Sequence, residues 1–148
     1  MKKYQNYING KWMDSLSKET IQVEDPATTN IIGEIACAKN DDVDIAVEAA
    51  KKSFESRVLV DMPILERAKL MRRIADETRK IAKEGGILLC YENGKQINAG
   101  IKEFNDVADM FDYYAGLTDK LEGKTIPVSN SVLDYTVLEP YGVSAHII

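Results

Sequence analysis

At 148 residues, with 45% hydrophobic and 29% charged side chains, the chain has the make-up of one ordinary folded domain, not of a disordered or fibrous protein. Its 24 acids outweigh 19 bases, for a net charge of −5 with no long basic run, which argues against nucleic acid and anionic membrane as partners. No stretch is apolar over the length needed to span a bilayer, and the two lysines of Met1-Lys2-Lys3 are not followed by the apolar region of a secretory leader.

The chain opens with a hairpin. Tyr7-Ile8 and Lys11-Trp12 flank Asn9-Gly10, the pair that best tolerates the positive φ angles of a two-residue type I′ turn. A second strand pair, Thr20–Glu24 and Ile31–Ala36, is joined by Asp25-Pro26-Ala27-Thr28-Thr29-Asn30, where Pro fixes φ and Asp or Asn bonds the local backbone. Cys37 and Cys90 sit in apolar contexts without metal spacing, as small buried hydrophobes in a reducing cytoplasm would.

The period then changes from two to about 3.6. Asp41 reads as the N-cap of a first helix, with Val43, Ile45, Ala46, Ala49, Ala50 and Phe54 as its apolar stripe. Pro63 opens a second, with Leu65, Leu70, Met71, Ile74 and Ile81 as its inner face and Gly85-Gly86 as its stop. A short helix from Ile87 to Glu92 ends at Asn93-Gly94. A third long helix runs from Ile97 to about Leu121, with Ile97, Ile101, Phe104, Ala108, Phe111, Tyr114 and Leu117 at helical spacing and Gly123 closing it. Extended chain follows over Ser131–Glu139, broken by Pro140, and over Tyr141–Ile148. The expected fold is α/β: β-hairpins, three long helices plus one short helix, then extended strands, with the fold incomplete.

Motifs that carry chemistry are scarce. Gly123-Lys124-Thr125 fails as a phosphate loop, because Thr118 stands where the first glycine belongs and a helix precedes where a strand is required. No G-x-G-x-x-G occurs. His146, the only histidine, lies on an apolar run where a core or edge position is expected. Neither cysteine neighbours a histidine or a basic cluster in sequence, so nothing marks a lowered thiol pKa. Met62, Met71 and Met110 read as core filler. Tyr113 and Tyr114 are about 100° apart on a helix, so one faces a core or ligand channel and the other solvent.

Several segments nevertheless recur together in one known setting. They are Tyr7-Ile8-Asn9-Gly10-Lys11-Trp12, Asp25-Pro26-Ala27-Thr28, Asp42-Val43-Asp44-Ile45-Ala46-Val47, Glu66-Arg67-Ala68-Lys69-Leu70 and Glu92-Asn93-Gly94-Lys95. Tyr113-Tyr114-Ala115-Gly116, Gly123-Lys124-Thr125-Ile126-Pro127 and Glu139-Pro140-Tyr141-Gly142-Val143 follow. In this order the chain resembles the N-terminal part of the aldehyde dehydrogenase superfamily, NAD(P)-dependent enzymes that oxidise aldehydes through a cysteine thioester. Two departures are the Arg57-Val58-Leu59-Val60 run, where a tryptophan is usual, and Gln96, where Gly-Lys-Pro is usual.

The resemblance implies a division of labour. Residues 1–127 are the hairpin and helical flank of the cofactor domain, 128–140 an oligomerisation strand segment, and 141–148 the start of the first cofactor-domain strand. The family's chain continues past Ile148 into a Pro-Trp-Asn motif, the dinucleotide-binding fold, and later the catalytic cysteine and glutamate. The apolar ending at Tyr141–Ile148 fits a chain cut as that fold begins. Cys37 and Cys90 match no nucleophile, so no catalytic residue is assigned.

The resemblance places Ile147 and Ile148 beside NAD or NADP, with none bound by this chain alone. It places a monovalent cation between the Glu24 carbonyl and Glu92, and homo-oligomer contacts at Val132 to Glu139, with Tyr135-Thr136-Val137 as an edge strand for a neighbour. The alternative is a stand-alone assembly or binding module whose Val132–Ile148 strands pair with another chain.

Overall fold

The computed structural model describes residues 2–147. Its elements run β1 (Lys2–Tyr4), β2 (Asn6–Ile8), β3 (Lys11–Met13), β4 (Thr20–Glu24), β5 (Ile31–Ala36), α1 (Asn40–Glu55), α2 (Ile64–Asn93), α3 (Ile97–Ala115), β6 (Thr125–Ser129) and β7 (Val132–Tyr135). The α/β class is as the sequence implies.

Asn9 (φ 50°) and Gly10 (φ 76°) close the β2–β3 hairpin, in which Tyr7 pairs with Trp12. Both aromatic rings lie on one face, 4.8 Å apart, and Trp12 stays 67% exposed. β4 and β5 pair antiparallel, with the bounds read from the sequence, and β1 adds to the free edge of β5 in parallel to give the order β1-β5-β4. Between β4 and β5, one Asp25 oxygen accepts the Ala27 N–H (2.9 Å) and the other the Thr28 hydroxyl (2.8 Å), so the turn is tied by a single side chain.

Asp41 is not the cap of α1. Lys39 occupies the N-cap position, and Asp42, one turn into the helix, reaches back to accept the Lys39 N–H at 2.9 Å. Its second oxygen accepts the Leu16 N–H, also at 2.9 Å, and the residue is only 2% exposed. One carboxylate thus fixes the start of α1 against the chain leaving β3. At the far end of α1, Arg57 (φ 58°) turns the backbone and grips Asp61 through two guanidinium nitrogens. Arg67 then donates to the carbonyls of Val60 and Met62, fixing the connection into α2.

The second and short helices of the sequence reading are one. α2 runs unbroken for 30 residues through Gly85-Gly86 and stops only at Gly94, whose φ of 75° closes the helix in the left-handed region. Two glycines in a helix interior cost about 1 kcal/mol each relative to alanine. Here they are retained because α3 lies too close for any side chain. A Cβ on Gly86 would stand 2.5 Å from the Ile101 backbone nitrogen, one on Gly100 2.8 Å from the Gly86 carbonyl oxygen, and one on Gly85 2.2 Å from the Phe104 ring.

The seam continues with Ala68, Ala75 and Ala82 on α2 and Ala108 and Ala115 on α3, which are the buried hydrophobic residues among those described. The inner face of α2 is therefore this small-residue stripe. Leu65 and Ile81 lie exposed, Ile74 marginally so, and Leu70 and Met71 half-buried. On α3, Ile101, Phe104 and Phe111 are half-buried, while Ile97 and Tyr114 are exposed. Arg79 locks the pair from outside, with Nη2 2.7 Å from both Asp109 and Asp112.

α3 ends at Ala115, six residues earlier than its pattern implied. β6 and β7 then form a hairpin of their own, extended by the Thr136 N–H to the Lys124 carbonyl (2.9 Å). Beyond that bond residues 137–147 hold no strand pairing, so the strands read over Ser131–Glu139 and Tyr141–Ile148 reduce to β7 among the described residues.

Overpacking a helix seam costs about 1–3 kcal/mol. Gly86→Ala, facing backbone that cannot step aside, should lose that much in urea unfolding. Gly85→Ala meets only a ring, so its cost should shrink in a Phe104→Leu background. Equal costs in both backgrounds would place the clash elsewhere.

Candidate functional site

The residues singled out in the sequence fall into three places. The first is where β4 leads into its turn beside the C-terminal end of α2. Pro26 lies 3.3 Å from where a Cβ on Gly94 would stand, and Val23 and Glu92 line one groove. The fold therefore brings the neighbourhoods of Glu24 and Glu92 together. Glu24 and Glu92 are both solvent-exposed. The acid between β4 and the turn proline, Asp25, is buried and has both oxygens committed to its own turn. The donors on offer for a cation are thus one carbonyl and one carboxylate, with several more oxygens needed to complete a hard-cation shell. Among the described residues no three His, Cys, Asp or Glu side chains cluster as a metal centre would require.

The same groove has a cavity volume of about 580 Å³ and runs between Tyr4, Val23, Ile32 and Ile35 of the sheet and Leu88 and Tyr91 of α2. It is apolar save for Glu92 and the tyrosine hydroxyls. Lys2, on the same strand as Tyr4, holds its ammonium 5.0 Å from the Tyr4 ring centroid.

The second place is the run after β7. Gly142 (φ 103°) lies against the Phe54 ring of α1, 3.4 Å from where a Cβ would stand, a backbone angle that glycine alone adopts freely. Beyond it Ile147 is 99% exposed, and Ile148 lies outside the described residues. His146 is exposed as well, with Nε2 3.2 Å from the Ser144 hydroxyl, so it is neither a core nor a strand-edge histidine. Among the described residues, two of the three helix N-termini are unsuited to a dinucleotide phosphate. The first turns of α1 and α2 carry Asp41, Asp42 and Glu66, acids that oppose a pyrophosphate at a helix N-terminus.

The third place is the β6–β7 hairpin. Val128, Val132, Leu133 and Tyr135 are all exposed, Leu133 at 77%. β7 pairs with β6 on one side, and its other edge has no partner among the described residues.

The cysteines are free and half-buried. Cys37 has a basic neighbour that its sequence context did not advertise. The Lys39 ammonium lies 2.8 Å from a Glu19 carboxylate oxygen, and this contact first, with the Cys37 side chain second, holds the lysine pKa above its ordinary value. Met110 is exposed, not core filler. Tyr113 and Tyr114 are both exposed, packed edge to face at 5.3 Å. Sequence reasoning missed the double role of Asp42 and the small-residue seam. The seam's signal was present, as Ala68, Ala75 and Ala82 recur every seventh residue.

Taken together, the architecture is an α/β segment with a helical hairpin at its centre and without a catalytic constellation among the described residues. The sequence profile of the Aldehyde dehydrogenase family matches residues 12–148, and the chain belongs to that family. It is 34% identical to Aldehyde dehydrogenase 1 of Tanacetum cinerariifolium, over 96% of this chain and 29% of that protein. It is 38% identical to a mitochondrial aldehyde dehydrogenase of Leishmania tarentolae, over 95% and 28% respectively. Among solved structures it is similar to the NAD+ complex of aldehyde dehydrogenase from Bacillus cereus, with a TM-score of 0.85, 31% identity, and 90% of this chain matched to 28% of that one. The chain spans somewhat over a quarter of the length of the relatives it matches. No helix among the described residues is long and apolar enough to cross a membrane.

The Asp25 turn sets a pH dependence. The Ala27 N–H first, and the Thr28 hydroxyl second, hold the Asp25 carboxyl below its ordinary pKa. A depressed folded-state value stabilises the fold above the unfolded pKa of about 4 and is lost as pH falls through the folded value. Urea unfolding should therefore show stability falling below about pH 4, and Asp25→Asn should flatten that acid limb. An unchanged acid limb would remove Asp25 from the cause.

Proposed function

We propose that this chain supplies the helical flank and strand arm of an NAD(P)-dependent aldehyde dehydrogenase, and that these 148 residues alone do not turn over aldehyde. The observation that carries the reading is the inversion of its apolar surface. Among the described residues the buried hydrophobic ones are alanines, while Val43, Ile45, Leu65, Ile81, Leu133 and Val137 face solvent. Apolar faces this extensive mark surfaces made for burial against further protein. In a complete enzyme a bound nicotinamide would supply hydride acceptance, and the part played by this chain would be to frame that site, not to react in it.

Three further elements belong to the same proposal. Residues 1–127 form the flank, 128–140 the arm, and 141–148 the lead into the cofactor domain, with Ile147 and Ile148 reaching the cofactor there. The open edge of β7 and the residues from Val132 to Glu139 join copies of the protein in a homo-oligomer by strand addition. The Glu24 carbonyl and the Glu92 carboxylate hold a monovalent cation, with water completing its shell. A cytoplasmic setting rests on the two free cysteines.

The rival reading, a stand-alone assembly module, shares the strand addition and differs in needing no further protein. Purified chain incubated with NAD or NADP and short aliphatic or aromatic aldehydes should give no reduced cofactor, and measurable turnover would overturn the central claim. Co-expressed with a polypeptide covering the remaining length of a related aldehyde dehydrogenase, the chain should co-purify with it. A soluble, cooperatively melting chain that ignores this polypeptide would favour the rival.

Self-association read by sizing and light scattering should weaken in Leu133→Lys, an exposed position where a charge leaves the fold intact. Undiminished association would take β7 out of the interface. Potassium or sodium chloride should raise the melting temperature relative to tetramethylammonium chloride in the wild-type chain but not in Glu92→Gln. An equal response in both would dismiss the cation.

A further inference from the structure

We draw no further inference here: the strongest candidate, the apolar groove between the β1-β5-β4 sheet and the C-terminal half of α2, is an unpartnered face, and nothing in the structure shows what covers it.

Discussion

The close approach of α2 and α3 at Gly86 and Gly100 is the constraint on which the rest depends. Backbone meets backbone there, with no side chain between. This sets the distance between the helices and leaves room only for alanine along the seam at positions 68, 75, 82, 108 and 115. It also explains why α2 continues through two glycines that would otherwise end it. Because α2 is continuous, its C-terminal end reaches the β1-β5-β4 sheet and brings Leu88, Tyr91 and Glu92 to face it. The adjacency of the Glu24 and Glu92 regions is a downstream result of the glycine contact.

What the sequence made legible was local. Asn9-Gly10 fixed a hairpin by backbone angle, the alternation in Thr20–Glu24 and Ile31–Ala36 set two strand bounds, and Gly94 ended a helix through its positive φ. The errors share one physical origin. Glycine at positions 85 and 86 is locally a stop signal, and only the contact with a helix further along the chain shows otherwise. β1 pairs in parallel with a strand distant in sequence, a contact that no short-range pattern announces. Asp42 was preceded by an equally plausible cap, Asp41, and the deciding bond comes from Leu16, outside the helix.

Hydrophobic periodicity shows that a face is apolar without showing what covers it. The stripes on α1 and α2 were read as inner faces, yet within this chain most of those side chains point outward. The same limit applies to the site. The family's motifs are spread along almost the whole chain, so membership was legible, whereas the Ile147 run has no geometry of its own to test against a cofactor.

The helical hairpin also has a bearing on the order in which the chain gains structure. α2 and α3 are consecutive, and the glycines that join them lie on either side of one tight connection at Asn93-Gly94. Closing so short a loop costs little chain entropy, and contacts near in sequence form fastest. The parallel pairing of β1 with β5, by contrast, has β2, β3 and β4 between its partners, a longer loop to close. A seam of glycine and alanine gains little from burying area, so its advantage is early formation and a fixed separation. The helical pair is thereby suited to act as a gauge block, a spacer set first against which later-folding surfaces are fitted.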